Sequence, residues 1–272
     1  MIETTGASTG LRSPESELPI KPLSIPATVL LFAVPSAVFS FSYLALLPFL
    51  VRRGFSLFAV FNLAFVPPLA LLLIAALAGL KLERRPVTWR AIRNRFRLGR
   101  MSFRAWLWTA GILLLVLAGS AGLNYLFPTS PTSFRLFTWP QEFTHFMQAL
   151  HSVGKDFLGI PLPGHWWVFL YFVFWPLALN IFGEEFWWRG YILPRQELSQ
   201  GRWAWLINGF LWDLFHIFYH QTVWSFLALF PATLGIAFVC QKVRSTWPGI
   251  VIHAIANIEV PIAVLLGVLN SK

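Results

Sequence analysis

The chain alternates long apolar runs with short polar breaks. The runs cover residues 25–51, 55–80, 105–127, 166–184, 203–219, 222–241 and 247–268. A hydrocarbon core of about 30 Å needs about 20 helical residues to cross it. The pattern therefore predicts an all-α fold, a polytopic transmembrane helix bundle of about seven spans, within a range of six to eight. Pro26, Pro35, Pro48, Pro67, Pro68, Pro176, Pro231, Pro248 and Pro261 fall inside the runs. Neighbouring helices in a bundle re-satisfy the carbonyls that a proline frees, so kinks are expected there. Residues 1–24 are mostly polar and contain Pro14, Pro19 and Pro22, which reads as a disordered cytoplasmic tail. Residues 25–268 then form a single membrane domain. The segment 128–165 reads as a long loop. Its Phe137–Leu150 part is amphipathic enough to lie on a membrane surface.

Three polar signatures interrupt the last runs. They are Glu184-Glu185-x-x-x-Arg189, Trp212-x-x-x-His216 and His253-x-x-x-Asn257. An ionised side chain at the centre of a membrane helix costs about 2.5–3.5 kcal/mol on insertion scales. Three such sites in the last third of the chain read as one constellation.

Composition agrees with the pattern. The chain is 57% hydrophobic and 12% charged, where a soluble domain carries about 25% charge. The net charge of +10 does not point to nucleic acid, because much of the excess sits in one loop. Lys81, Arg84, Arg85, Arg90, Arg93, Arg95, Arg97, Arg100 and Arg104 fall between the second and third runs. Such a loop marks the cytoplasmic side and meets anionic head groups of the lipid bilayer. This orientation puts the N-terminus in the cytoplasm. The lone Cys240 excludes a disulfide framework and reads as a small buried hydrophobe. That cysteine usage, with no cleavable signal opening the chain, is compatible with a prokaryotic plasma membrane.

Under this topology the fourth span ends beside Glu184 and Glu185, near the cytoplasmic face. His253 lies about 9 Å into the seventh span, whereas His216 lies about 20 Å into the fifth. His216 is thus expected deeper than its partners.

The chemistry follows from residue types and spacing. Adjacent Glu184 and Glu185 point about 100° apart on a helix and do different jobs. Glu185 and Arg189, at i and i+4, can pair along one face. Glu184 is left without a local partner, and a carboxylate with an imidazole is a competent pair for polarising water. His253 and Asn257 project together and offer N–H donors to a developing oxyanion. Base, water, histidine and oxyanion donors amount to peptide hydrolysis without a covalent intermediate and without a cofactor.

These three motifs, in this order on successive membrane helices, resemble the family of CAAX prenyl endopeptidases and bacteriocin-processing and immunity proteins, known as CPBP. Glu184-Glu185-Phe186-Trp187-Trp188-Arg189-Gly190-Tyr191-Ile192-Leu193 is similar to the family's first signature. The resemblance covers residues 165–268. It implies a glutamate intramembrane endopeptidase. Glu184 corresponds to the water-activating glutamate and His216 to its partner. His253 and Asn257 correspond to the oxyanion pair, and Glu185 and Arg189 to supporting members. Trp212 stands where the family usually has Phe, which reads as a change of packing ring. The implied partner is a membrane-associated peptide or protein, with prenylated proteins among the candidates.

Two rivals remain at this level. One is a catalytically silent immunity or scaffold protein using the same bundle. The other is a zinc-dependent membrane protease using Asp213, His216 and His220, which fall at i, i+3 and i+7. His-Glu-x-x-His is absent, so no metal is assigned. Ser120, in Gly119-Ser120-Ala121-Gly122, reads as part of a close-packing patch.

Overall fold

The computed structural model describes residues 20–126 and 134–270. Most of the predicted N-terminal tail and the first part of the 128–165 loop lie outside the described residues. Helix α1 runs Ile25–Arg52 and α2 runs Leu57–Leu82. The short α3 (Trp89–Arg95) follows, then α4 (Phe103–Leu126). Their starts carry oxygen caps. The hydroxyls of Ser24, Ser56, Thr88 and Ser102 accept the amide N–H groups of Ala27, Ala59, Ala91 and Ala105. Each cap satisfies a donor that the first turn leaves without an intrahelical partner. Leu30, Val34, Leu71, Ile74, Leu114 and Leu115 remain exposed on the outer faces of these helices, as lipid contact requires.

Among the described residues, five helical stretches are long and apolar enough to cross a membrane, or six if a bent pair near the C-terminus is one span. The fourth stretch, Trp166–Phe215, has 50 residues. That is about 75 Å of helix, more than twice the hydrocarbon thickness. It folds back at Gly201, whose φ of 56° is available to glycine at little cost. Beyond the turn, Asn208 Nδ2 donates to Trp188 O at 3.2 Å and to Gln196 Oε1 at 2.7 Å. The stretch is therefore two arms, α6 (166–200) and α7 (Ala204–Phe215). Next come α8 (Val223–Val243), α9 (Trp247–Ala256) and α10 (Glu259–Leu269), with a 53° bend between the last two. Each of the seven predicted runs has a helical counterpart.

At some of the expected proline positions the helix widens into π-helical turns, whereas Pro35 lies in regular α-helix and Pro26 in the first turn of α1. Ser42–Leu46 precedes Pro48, Phe61–Phe65 precedes Pro67, Val173–Leu177 contains Pro176, and Phe186–Ile192 precedes Pro194. Proline's ring and missing N–H disturb the i→i−4 ladder just ahead of it, and the turn widens to accommodate this.

Two features differ from the sequence reading. The amphipathic segment forms α5 (Gln141–His151), but its apolar face meets protein instead of lipid. Phe143 and Phe146 are fully buried there. Phe146 packs on Phe61 and Phe65, and Phe143 on Tyr43 and Trp139. The helix is tethered by Arg52, which donates to Glu142 at 2.9 Å. The Glu142 carboxyl is held below its usual range by its own backbone N–H and by Arg52. The only β-hairpin among the described residues, β1 (Asp156–Phe157) with β2 (Ile160–Pro161), follows this helix.

The second difference lies in the basic 81–104 loop, which is not solvated throughout. Arg95 is buried, with Nε and Nη2 on the two Glu83 oxygens at 2.6 and 2.7 Å. Its guanidinium also donates to Gly190 O at 2.7 Å and Tyr191 O at 3.1 Å. Both carbonyls belong to the π-helical part of α6, where regular pairing is disturbed. Phe96 follows, packed on Phe186, and its carbonyl accepts from the Thr246 hydroxyl at 2.7 Å. The loop thus joins α6 to the start of α9. The patch around Ser120 is a packing surface, with Ser120 Oγ donating to Ala228 O and Gly119 close to Pro231.

Candidate active site

Helix α6 carries Glu184 and Glu185 immediately before its wide segment, and both are buried. The helix does not end there, as the apolarity of the run suggested, but continues to residue 200. Glu184 is therefore sixteen residues, about 24 Å, from the end of its arm. His216 is at a comparable depth from the same turn, as the C-cap of α7. The expected depth mismatch disappears because Glu184, not His216, was placed wrongly. Helix α9 reaches the same level from a short start, since Thr246 is seated on Phe96 beside Gly190.

The three signatures converge. His216 Nε2 lies 3.8 Å from Glu184 Oε2. His216 Nδ1 is 2.9 Å from Trp212 O. A carbonyl only accepts, so Nδ1 carries the proton and Nε2 is the free nitrogen facing the carboxylate. Glu184 Oε2 accepts from Trp212 Nε1 at 2.7 Å and from Trp188 Nε1 at 3.3 Å. Glu185 turns away, as the 100° offset requires. Its Oε1 accepts from Arg189 Nη1 at 3.3 Å and lies 3.0 Å from His253 Nδ1. The Arg189 guanidinium stacks 3.7 Å over the Trp212 ring. Glu185 and Arg189 are fully buried, a setting in which ion pairs hold orientation more than they add net stability.

His253 and Asn257 share one end of α9, but not as neighbours on an unbroken helix. The helix ends at Ala256, and Asn257 is its C-cap, with its Nδ2 donating to His253 O at 3.0 Å. Glu184, His216, His253 and Asn257 line one cavity of about 300 Å³. Phe39, Tyr43, Phe65, Phe172, Phe215 and Phe218 form much of the rest of its wall. A few polar groups set among aromatic walls suit a peptide bond carried on an apolar chain.

The zinc arrangement does not form. Helix α7 ends at Phe215, so Asp213, His216 and His220 share no helical face. Asp213 is buried against Thr233, whose hydroxyl donates to it at 3.3 Å. Among the described residues, no three His, Cys, Asp or Glu side chains are placed to hold a metal ion.

Three participants, Trp188, Asn180 and Gly249, escaped the sequence reading, and a fourth, Trp212, was read as a supporting ring and not as a donor. Trp188 and Trp212 serve as donors to Glu184. The spacing of Trp188 at i+4 from Glu184 could have flagged one of them. Asn180, one turn before Glu184, also lines the cavity. Gly249 admits Glu185, because a Cβ built there would collide with Glu185 Oε2. Gly249→Ala should therefore push Glu185 off His253. Overpacking of this kind costs about 1–3 kcal/mol. A lower thermal midpoint is the expected readout, and an unchanged one would contradict this account of the notch.

The fold and site define a class: a membrane-embedded helical bundle with a buried carboxylate–imidazole centre. Within it, residues 165–258 match the family model described as Type II CAAX prenyl endopeptidase Rce1-like. The match spans about a third of the chain, contains every residue of the three motifs, and agrees with the resemblance seen in the sequence. It suggests protease activity of the CAAX type within a membrane. No curated protein and no solved structure matches the chain.

Proposed function

We propose that the protein is an intramembrane glutamic endopeptidase. It hydrolyses a peptide bond near the C-terminus of a lipidated, CAAX-type or otherwise membrane-associated substrate. The observation that carries this reading is the placement of Glu184 and His216 Nε2, 3.8 Å apart, in the wall of a cavity that also presents His253 and Asn257. That separation is too long for a direct hydrogen bond. A water beside the pair can donate one hydrogen to the unoccupied carboxylate oxygen, Oε1, and the other to Nε2.

Glu184 takes a proton from this water as its oxygen adds to the scissile carbonyl carbon. The C=O π pair moves onto oxygen. His253 and the second N–H of Asn257 donate to that oxyanion. For Nε2 of His253 to donate while Nδ1–H is held by Glu185, both ring nitrogens must carry a proton; Glu185 is shared with Arg189, so the developing oxyanion offsets the added charge. The C–N bond then breaks, and the proton on Glu184 passes to the leaving amine. Glu185, Arg189 and Trp212 support this arrangement without contacting the carbonyl. The N-terminus is assigned to the cytoplasm on the basic 81–104 loop.

The test is cleavage of an internally quenched peptide ending in a farnesylated CAAX sequence, in detergent. Glu184→Ala, His216→Ala and His253→Ala are compared with the wild type. Loss of an oxyanion donor costs about 10²–10³ in kcat, so His253→Ala should fall by that order. Loss of the general-base partner costs about 10²–10⁴, which sets the scale for His216→Ala. Full activity in Glu184→Ala would end this reading.

A further inference from the structure

Trp212 is the residue on which the polar groups of the site meet. Its indole N–H donates to Glu184 Oε2 at 2.7 Å. Its backbone carbonyl holds His216 Nδ1 at 2.9 Å. The Arg189 guanidinium lies 3.7 Å over its ring, and the His253 ring stands edge-on at 5.4 Å. Trp188 adds a second, longer bond to Oε2 at 3.3 Å. Glu184 Oε1, by contrast, has no hydrogen-bond partner among the described residues.

The two oxygens of a carboxylate are chemically equivalent until something distinguishes them. Here two N–H donors occupy one and leave the other open. A cation over the indole face draws electron density from the ring, which makes its N–H a stronger donor. The bond from this N–H to a carboxylate is itself charge-assisted.

We infer that Trp212, through its indole N–H, is a positioning residue of the proposed hydrolysis: it anchors Glu184 Oε2 so that Oε1 is the oxygen presented to water. This rests on Glu184 being the base. It also revises the role expected for this position. A phenylalanine there would supply a ring but no donor. The tryptophan therefore does something that a change of packing ring does not describe.

The experiment removes the N–H and little else. Trp212→Phe is compared with a chain carrying 3-benzothienylalanine at 212, which replaces the N–H by sulfur and keeps the bicyclic shape. Trp188→Phe serves as the reference for the longer bond. The probe is the same farnesylated quenched peptide, and kcat and KM are measured separately. A hydrogen bond to a charged acceptor is worth enough to change kcat by about tenfold to a hundredfold.

The expected result is a fall of that size in kcat for both position-212 variants. KM for the benzothienyl chain should stay within about twofold, and Trp188→Phe should lose less. The melting midpoint of the benzothienyl chain should match the wild type. If Trp212→Phe fails to fold, the benzothienyl chain decides. Wild-type kcat in that chain, alongside an inactive Glu184→Ala, overturns the role of Trp212 and leaves the hydrolase reading standing. An active Glu184→Ala overturns both.

Discussion

Glu184→Gln should abolish turnover while leaving the bundle intact. The amide is nearly isosteric, and its oxygen can still accept from Trp212 and Trp188. What it lacks is basicity. General-base catalysis is worth about 10²–10⁴ in rate, and the loss here should reach the upper end. Among the described residues lining the cavity, Glu184 is the only carboxylate, so no neighbour can take over its proton. Glu185 is adjacent in sequence but engaged with Arg189 and His253. The check is single-turnover cleavage of the farnesylated peptide beside a thermal melt of the same preparation. Near-wild-type cleavage would show that another group activates water. A collapsed melt would show that Glu184 is structural, and Glu184→Ala would then be no measure of catalysis.

The constellation was legible because each polar residue in an apolar run carries an energetic cost that only a partner offsets. That logic brought Glu184, Glu185, Arg189, His216 and His253 together before any coordinates. Where helices end was less legible. Apolarity falls after Glu184, yet α6 continues as π-helical turns through Phe186–Ile192, where the carbonyls of Trp188, Gly190 and Tyr191 accept from the remote side chains of Asn208 and Arg95. Composition carries no trace of such donors. Helix α7 stops at Phe215 although the run stays apolar, and that stop removed the shared face on which the zinc arrangement depended. Trp212 was read as a ring because a sequence shows its area but not the aim of its N–H. The α5 face was read as lipid-facing because periodicity reveals a buried side without saying what covers it. Arg95 was hidden among nine loop cations, since its burial depends on Gly190 and Tyr191, about 95 residues away.

That hidden arginine carries the largest stability prediction. Arg95→Ala should lower the thermal midpoint in detergent and reduce activity, although residue 95 lies outside every signature. Removing one partner of a buried ion pair costs about 3–5 kcal/mol. The expected loss is near 3, because Glu83 keeps Arg85 at 3.5 Å and Arg195 at 4.0 Å and is not left wholly unpaired. Most of the penalty falls on the carbonyls of Gly190 and Tyr191, which lose their donors, and on the space beside Phe96. A buried carbonyl left without a donor costs about 1–3 kcal/mol. Arg95→Lys is the informative companion. An ammonium can reach Glu83 or the carbonyls but cannot reproduce the fork that serves both, so it should recover only part of the midpoint. Because this loop fixes the start of α9 through Phe96 and Thr246, His253 should shift relative to Glu185. Activity should then fall at temperatures where the protein is still folded. Wild-type melting and cleavage in Arg95→Ala would mean that the α6 and α9 arms hold their spacing without the loop.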